Sequence, residues 1–475
     1  MTTPRPRTPL HPDARIVIIG AGHAGHHAAA SLRTHHHQGP ITLIGEEPTP
    51  PYERPPLSKT YLTGTLQDTD LWLRPPTYYT RHHITHLHAT ATHIDRPNRT
   101  IHLHNGTTHP YDHLILATGA TPTTPPIPGT HLTGIHTLRT LQHAKNLRTH
   151  LNHATHIIVI GAGLIGLEFA ATANQQGHHV TILETNHRAL HRITSTPTAD
   201  HLTHLHHHHG NHLLFNQTIT NLHSNNNGHV THVQLATGHQ LPADLVLLAT
   251  GATPNTHLAT TSGLPTTRNG ILTDHHLHTP DPHISAIGDC NTHPHPHTHN
   301  PTHTHTIQNA TDQAHHLTQH LTQGTTHPYH QQPRTWTTQY TTTLQTTGHT
   351  PPTNPNPQHT NQDTTRDVIL TTTPTSFSVL RYHNNQLTTV ESINHPTNHT
   401  TAHHLLTTNN TPTHQQATTP RYTHQQHTHP PTVTTNATTT ATTADPAAAM
   451  ADATTTATTA AVATANATTT ATTTA

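Results

Sequence analysis

Two glycine-rich turns of the same form constrain this 475-residue chain more than any other feature of its sequence. The motif GAGHAG begins at Gly20, directly after the β-branched run of residues 15–19, and GAGLIG begins at Gly161, after the apolar run of residues 156–160. In such a turn the first glycine makes the bend, the second lets the backbone approach a pyrophosphate, and the third lets helix and strand pack closely. The two motifs therefore predict two strand–helix–strand nucleotide-binding units and an α/β fold.

One acidic residue ends the second predicted strand of each unit. Glu46 follows the run ITLIG, and Glu184 follows the run VTIL. A carboxylate at this place accepts hydrogen bonds from ribose hydroxyls, and at Glu184 it would repel the 2′-phosphate of NADPH. Two dinucleotides on one chain imply a flavin and a nicotinamide, and Glu184 favours NADH over NADPH.

Repeated strand ends divide the rest of the chain. Ala117-Thr-Gly119 and Ala249-Thr-Gly251 each close an apolar strand, so the second unit is predicted to be inserted into the domain of the first. Residues beyond 333 regain alternating apolar positions and predict an α+β domain with a hairpin across His-Asn-Asn-Gln. We predict a discontinuous first domain, an inserted second domain, a C-terminal domain and a disordered Thr/Ala-rich tail, at residues 14–120 with 251–330, 121–250, 331–420 and 421–475.

Composition excludes several other classes of protein. Hydrophobic residues make up 29% of the chain and charged residues 9%, and the net charge of −1 gives no electrostatic footprint for nucleic acid. No apolar run reaches the roughly 18–20 residues that span a bilayer, and the N-terminus lacks the apolar core of a signal peptide, so we expect a cytoplasmic protein without a membrane span. The single cysteine, Cys290, excludes an internal disulfide, and we expect it to be a small buried residue.

The 64 histidines include tracts at residues 35–37, 206–209 and 293–305. None of the tracts has the ligand spacing of a structural or catalytic metal site. We therefore expect solvated histidines and no specific metal.

The segment PYERPPLSK, at residues 51–59, resembles the signature of the FAD-dependent NAD(P)H ferredoxin reductase family. This family includes the reductases of putidaredoxin, of rubredoxin and of Rieske dioxygenases. The resemblance extends from about residue 14 to about residue 410 and includes LATGATP, GAGLIGLEFAA, ADLVLLATGATPN and AIGDC. It implies the glutathione-reductase-like fold, in which two Rossmann-like domains bind FAD and NAD and a C-terminal α+β domain follows.

The resemblance also implies roles for individual residues. The implied FAD ligands are Gly20, Gly22, Ala24, Gly25, Glu46, Arg54, Lys59, Ala91, Thr118, Gly119, Arg139, Gly288, Asp289 and Ile307. The implied NADH ligands are Gly161, Gly163, Gly166 and Glu184. The implied catalytic group consists of Lys59, paired with Glu168 beside the flavin, and Trp336 nearby. A Lys59–Glu168 pair is physically sensible, because each charge near a buried ring needs a partner.

The implied reaction passes electrons from NADH through FAD to a 2Fe–2S ferredoxin, which supplies a cytochrome mono-oxygenase or a Rieske oxygenase. Two alternatives stay open from the residues alone: a flavin-dependent NADH oxidase or dehydrogenase with another acceptor, and an eroded nucleotide-binding copy without catalysis. Departures from the family pattern lie at His303, His305, Thr337 and Thr338. The resemblance implies that these positions take part in packing at the flavin edge, in redox tuning and in docking of the partner.

Overall fold

The computed structural model describes residues 9–295, 300–325, 327–350, 365–419 and Tyr422. Part of the third histidine tract and, apart from Tyr422, the predicted disordered tail at 421–475 lie outside these residues. Every helix in the described part of the chain is too short or too polar to span a bilayer.

A parallel five-stranded sheet carries the first glycine turn. Its central strand pairs with the strand that follows the first helix, in the register Ile16↔Ile41, and on its other side with the strand that begins at His113, in the register Ile16↔His113. Both faces of this sheet are covered, which explains the near-continuous apolar strands. The strands, in spatial order, are Ile284–Ala286, His113–Leu116, Ile16–Ile19, Ile41–Gly45 and Ile84–His88.

A second parallel five-stranded sheet repeats this arrangement around the second glycine turn. Its central strand lies between the strands that begin at His179 and Leu245. Strand Ile284–Ala286 belongs to the first sheet although it follows every strand of the second sheet in sequence, as expected for an inserted unit. The bounds of the domains stay a prediction. The strands, in spatial order, are His212–Leu214, His179–Leu183, His156–Ile160, Leu245–Leu248 and Ile135–His136.

Smaller sheets, antiparallel except where Gly270–Leu272 pairs in parallel with Asn291–Pro294, complete the two nucleotide-binding units. In one of them, Ala120–Pro122 pairs with Ala252–Pro254, which ties together the two segments where the chain leaves and re-enters the first unit. The other strands of these small sheets are Ala91–Asp95, Thr100–Leu103, Thr108–Pro110, Ile219–Ser224, Val230–Leu235, Gln240–Pro242, Thr266–Thr267, Gly270–Leu272, Asn291–Pro294 and Pro301–Thr302.

The C-terminal region forms an antiparallel five-stranded sheet. The predicted hairpin is confirmed: strands Ser376–His383 and Gln386–Ile393 pair across Asn384 and Asn385, which both have positive φ as a type I′ turn requires. The strands, in spatial order, are Arg334–Gln339, Thr342–Gly348, Gln386–Ile393, Ser376–His383 and Thr365–Thr373.

Helices cover the sheets. The α-helices of the described residues are His23–Thr34, Pro76–Arg81, Leu141–Leu151, Leu164–Gln175, Thr196–His208, His257–Thr261, Ile307–Gln323, Pro396–Thr407 and His414–Ala417, with short 3-10 helices at Pro55–Ser58, Asp68–Leu71 and Gly288–Cys290. The fold is therefore the predicted α/β arrangement with two Rossmann-like units and a C-terminal sheet domain.

The expectation that the histidine tracts are solvated is wrong for several of their members. His37, His206 and His293 are buried, and the ring of His206 lies between Gln339 Oε1 at 2.9 Å and Asn211 Nδ2 at 2.8 Å. A neutral imidazole has one donor and one acceptor nitrogen, so it is satisfied in an interior that supplies one partner of each kind.

We expect the protein to lose stability as the pH falls from about 6.5 to about 4. Burial lowers the pKa of His206 and of His293 to about 4, and that of His26 to about 3. Because the folded pKa lies below the unfolded one, the unfolded chain binds more protons in this window. The stabilisation from these neutral histidines is therefore fully present above about pH 6.5. On acidification, each of them lowers the free energy of unfolding by up to about 3 kcal/mol.

Thermal unfolding followed by circular dichroism between pH 7.5 and pH 4.5 measures this loss. The variant His206→Gln should flatten the pH dependence, whereas His207→Gln, at the exposed neighbouring position, should leave it unchanged. An unfolding midpoint that stays constant over this range would contradict the expectation.

Candidate functional site

The first glycine turn combines two tightly packed glycines with one that faces open space. Gly20 has a φ of 114°, and a Cβ added there would lie 2.0 Å from the carbonyl oxygen of Ala117. A Cβ at Gly25 would lie 1.9 Å from the carbonyl oxygen of Gly20, whereas a Cβ at Gly22 would meet nothing within 4 Å. Gly20 and Gly25 therefore shape the turn, and Gly22 leaves room for a ligand.

The second turn repeats this geometry. Gly161 has a φ of 109°, with the carbonyl oxygen of Ala249 2.5 Å from an added Cβ, and an added Cβ at Gly166 would lie 2.1 Å from the carbonyl oxygen of Gly161. Gly163 again has nothing within 4 Å. The two turns thus offer the same open space beside the second glycine.

The helices that follow these turns begin without side-chain caps. Helices His23–Thr34 and Leu164–Gln175 have glycine N-caps and no acidic residue in their first turns. In contrast, the hydroxyls of Thr140, Ser195 and Thr306 cap the helices that they precede. Uncapped N–H groups at a positive helix end suit a phosphate, so both turns fit the pyrophosphate of a dinucleotide.

The two terminal acids differ in their surroundings. Glu46 is exposed and lines the cavity described below. The Glu184 carboxylate accepts hydrogen bonds from the backbone N–H of Ala162 at 2.9 Å and from the backbone and side chain of Asn186. Burial acts to raise the pKa of Glu184, but these hydrogen bonds outweigh it and the pKa is lowered. Glu184 is therefore held ionised against the second glycine turn.

A single large cavity brings most of the predicted site residues together. Its volume is about 1320 Å³, larger than the roughly 300–1,000 Å³ of usual small-ligand pockets. The predicted residues that line it are Gly20, Gly22, Ala24, Glu46, Arg54, Lys59, Ala91, Thr118, Gly119, Arg139, Gly163, Glu168, Asp289, Ile307 and Trp336. The predicted residues that do not line it are Gly25, Gly161, Gly166, Glu184 and Gly288.

The absence of three glycines from the lining has a packing reason. Gly25 and Gly166 face the backbone of their own turns, as described above. Gly288 has a φ of 74°, and its added Cβ would lie 2.9 Å from the Ala24 Cβ. Gly288 therefore permits close packing behind Ala24 and leaves the cavity wall to Asp289.

Lys59 and Glu168 form the predicted ion pair in the cavity wall. Lys59 Nζ lies 2.6 Å from Glu168 Oε2, with the lysine side chain 24% exposed and the glutamate side chain 5% exposed. The Ser58 hydroxyl donates to Glu168 Oε2 at 2.6 Å, and the Thr337 hydroxyl donates to Oε1 at 2.8 Å. The buried carboxylate thus has a charged partner and two hydroxyl donors, as a buried charge requires.

Thr337 and Thr338, which depart from the family pattern, have separate environments. Thr337 is buried, and its hydroxyl completes the shell of Glu168. Thr338 is exposed and its hydroxyl lies 3.2 Å from that of Thr343 on the paired strand. The structure therefore gives Thr337 a place in the ion-pair network despite its departure from the pattern.

Two arginines connect the cavity wall into a network. Arg139 Nη2 donates to Asp289 Oδ2 at 2.6 Å, while Arg54 donates to the backbone oxygen of Arg139 and, at 3.0 Å, to Glu47 Oε1. The Tyr52 hydroxyl donates to the same carboxylate of Glu47 at 2.6 Å. Sequence reasoning missed Glu47, although its place beside Glu46 in GEE was the available signal.

Asn255 is a second residue that sequence reasoning missed. Its Nδ2 donates to the backbone oxygen of Thr118 at 2.9 Å, and its own backbone oxygen accepts the Thr118 hydroxyl at 2.7 Å. Asn255 also lines the cavity. It holds Thr118, in the middle of the first LATGATP motif, and the only sequence signal for it was its position directly after the second LATGATP motif.

His303 and His305 stack with ring centroids 3.9 Å apart, and His305 lines the cavity. Burial lowers the pKa of His303 to about 4, and it lowers the pKa of His305 as well. Both rings are therefore neutral at physiological pH, so they add no positive charge to this side of the cavity.

Cys290 is fully buried, which confirms the prediction of a small buried residue. Burial raises the pKa of its thiol, so the reactive thiolate form is disfavoured. Within the described ranges, no group of three or more His, Cys, Asp or Glu side chains is placed to hold a metal ion.

Comparisons with known proteins agree with this geometry. Residues 14–314 match the family model described as pyridine nucleotide-disulphide oxidoreductase, and residues 334–425 match the model described as reductase C-terminal. The chain is 38% identical over 403 residues to rhodocoxin reductase of Rhodococcus erythropolis, which covers 85% of this chain and 91% of that relative.

Two solved structures are also similar. The ferredoxin reductase for the CYP199A2 system from Rhodopseudomonas palustris has a TM-score of 0.82 at 34% identity, covering 87% of this chain and 99% of that one. The covalent complex of putidaredoxin reductase with putidaredoxin has a TM-score of 0.77 at 31% identity, covering 83% and 93%.

Proposed function

Because the chain belongs to the pyridine nucleotide-disulphide oxidoreductase family and, within it, to the FAD-dependent NAD(P)H ferredoxin reductases, we propose that it passes electrons from NADH through FAD to a 2Fe–2S ferredoxin. The ferredoxin would in turn supply a cytochrome mono-oxygenase or a Rieske oxygenase. A cytoplasmic location is part of the proposal.

One observation carries the proposal: both open glycines, Gly22 and Gly163, line the same cavity, and the Lys59–Glu168 pair lies in its wall. Two dinucleotides bound on these turns would extend into one space, as electron transfer between them needs. The names of two similar proteins support a ferredoxin as the electron acceptor. One is a rhodocoxin reductase, and the other is a putidaredoxin reductase in complex with putidaredoxin.

The residues of the chain have defined parts in this proposal. The first turn, with Gly22 and the uncapped end of helix His23–Thr34, would hold the FAD pyrophosphate, and Glu46 would accept its ribose hydroxyls. The second turn, with Gly163, would hold the pyrophosphate of NADH, and Glu184 would accept hydrogen bonds from its ribose hydroxyls. The chemistry that bound FAD would supply on these residues is uptake of a hydride from NADH and release of electrons one at a time.

The remaining wall residues position the site and set its charge. Lys59 places a positive charge in the wall, and Glu168 holds that charge in place from the buried side. Arg139 and Asp289 form a neutral pair in the same wall, and Trp336 supplies apolar surface. The protein thus contributes position and electrostatics, while the cofactor contributes the chemistry.

The proposal is tested by reconstituting the purified chain with FAD and titrating it anaerobically with NADH. Bleaching of the flavin, followed by cytochrome c reduction that depends on an added 2Fe–2S ferredoxin, is the expected result. A chain that cannot bind FAD would refute the proposal. Rapid NADH consumption with oxygen alone, and no dependence on ferredoxin, would instead identify an oxidase.

Steady-state cytochrome c reduction through the added ferredoxin, with NADH or NADPH as electron donor, tests the choice of nicotinamide. We expect kcat/KM for NADH to exceed that for NADPH by about 10-fold or more, because the ionised Glu184 repels a 2′-phosphate. Glu184→Gln should reduce this preference about 10-fold, whereas Glu46→Gln, at the end of the corresponding first-unit strand, should leave it unchanged in the FAD-loaded protein. Equal rates with both nucleotides would contradict the role given to Glu184.

A further inference from the structure

The loop of residues 188–195 packs directly on the second glycine turn. It is the last part of the connection between strand His179–Leu183 and helix Thr196–His208. The Leu190 N–H donates to the carbonyl oxygen of Ala162, inside the turn, at 3.0 Å. Leu190 has a φ of 50° and a buried side chain. A bulky residue adopts this conformation only where its surroundings enforce it, so the loop is held in place from outside.

An arginine closes the loop on itself. Arg188 Nη2 donates to the carbonyl oxygens of His191 at 3.0 Å and of Thr194 at 2.8 Å. The Ile193 N–H donates to the carbonyl oxygen of Leu190 at 2.9 Å. These bonds make the loop a compact unit, so a constraint at one end of it is transmitted to the other.

The loop presents Ile193 to the dinucleotide cavity. Ile193, Ile165 and Trp336 all line the cavity, and they are 36%, 44% and 43% exposed. Together with Ile369, they are the exposed large hydrophobic side chains of the described residues. An apolar side chain that stays exposed inside a cavity is suited to contact a bound ring or ribose.

A fully buried glutamate of the C-terminal sheet fixes the end of this loop. Glu391 is buried on strand Gln386–Ile393. Its Oε1 accepts a hydrogen bond from the Ser195 N–H at 2.7 Å, and its Oε2 accepts one from the Ser195 hydroxyl at 2.6 Å. Its charged neighbour is Arg381, whose Nη1 lies 3.6 Å from Oε1. A buried carboxylate is costly unless it is well bonded, and here both oxygens bond the residue that caps helix Thr196–His208.

We propose that Glu391 is a positioning residue for the nicotinamide dinucleotide: it ties Ser195 to the C-terminal sheet and thereby holds Ile193 and loop 188–195 against the second glycine turn. The inference rests on the proposed function, because it concerns the site where NADH is proposed to bind. The C-terminal domain, in addition to any contact with the ferredoxin, would then determine the affinity for NADH.

The test compares Glu391→Gln with wild type in the full-length, FAD-loaded protein. The amide has nearly the same shape, but its nitrogen cannot accept the bond that the Ser195 hydroxyl now donates to Oε2. The hydroxyl would have to turn and accept instead, and the negative charge that strengthens both bonds to Ser195 would be lost. We expect the KM for NADH and the Kd for NAD⁺, measured by titration calorimetry, to rise about 10-fold. We expect kcat to stay within about 2-fold of wild type and FAD content to be unchanged, because the Lys59–Glu168 pair is untouched.

Two further variants separate positioning from stability. Ser195→Ala removes one of the two bonds to Glu391 and should raise the KM about 3-fold; it also decides the question if Glu391→Gln does not fold. Ser378→Ala removes a buried bond to the Ser392 hydroxyl in the same sheet, and it should lower the unfolding temperature without changing the KM.

The outcomes distinguish this inference from the proposed function. A wild-type chain that binds no NADH overturns both. A wild-type chain that binds NADH, with an unchanged KM in Glu391→Gln or in Ser195→Ala, overturns the positioning role alone, and any change in unfolding temperature then shows that Glu391 is only structural.

Discussion

Replacing Lys59 with methionine should slow the reduction of bound FAD by NADH about 100-fold. Methionine keeps the length and apolar stem of lysine but removes the ammonium that lies 2.6 Å from Glu168. The carboxylate then retains only the hydroxyl donors Ser58 and Thr337, and its uncompensated negative charge opposes the arrival of a hydride in the same cavity. Stopped-flow measurement of anaerobic flavin bleaching gives this rate directly.

The same substitution should reduce the free energy of unfolding by about 3 kcal/mol, the lower end of the cost of breaking a buried ion pair, because Lys59 is 24% exposed. The double variant Lys59→Met/Glu168→Gln is the matched control. It should recover most of the lost stability, since no unpaired charge remains, but not the rate, since the ammonium is still missing. A wild-type bleaching rate in the single variant would show that the pair is structural only.

Alanine substitutions in the glycine turns should have two different large effects, loss of folding at the packed glycines and loss of nucleotide binding at the open ones. Gly25→Ala places a methyl group 1.9 Å from a backbone oxygen, so we expect the first unit to misfold. Gly22→Ala adds the same methyl where nothing lies within 4 Å, so we expect a folded chain whose FAD affinity falls at least about 100-fold, because the methyl occupies the space given to the pyrophosphate.

The second turn provides the matched pair for this prediction. Gly163→Ala should keep FAD and raise the KM for NADH about 10-fold, while Gly166→Ala, 2.1 Å from the Gly161 oxygen, should disrupt the second unit. Circular dichroism reports folding, and flavin absorbance after gel filtration reports FAD retention. Full FAD retention by a folded Gly22→Ala variant would remove the first turn from the FAD site.

Short-range patterns in the chain predicted the parts of the fold that depend on backbone geometry. A positive φ at Gly20 and Gly161, and the close approach of backbone at Gly25 and Gly166, exclude other side chains, so the spacing of these glycines specifies the turn. The hairpin turn at Asn384 and Asn385 likewise requires a positive φ at both positions, which asparagine tolerates. The Lys59–Glu168 pair came from the family resemblance, and its geometry is now observed.

The partners of buried polar groups could not be read from the sequence. Thr337 counted as a departure from the family pattern, yet its hydroxyl bonds Glu168 across 169 positions of the chain. The histidine at position 206 was expected to be solvated like its neighbours, yet packing against Gln339 and Asn211 buries it. Such contacts depend on which surfaces meet, and composition does not contain that information.

The spacing of the glycines is enough to specify two turns of the dinucleotide-binding type, because glycine is the residue that fits their backbone conformation and close packing. That both turns line one cavity, and that Glu391 bonds Ser195 across 196 positions of the chain beside the second turn, becomes visible only in the folded protein. The physical reason is range: a turn is set by the φ angles and contacts of a few consecutive residues, whereas a shared cavity and a buried carboxylate need distant segments to pack together.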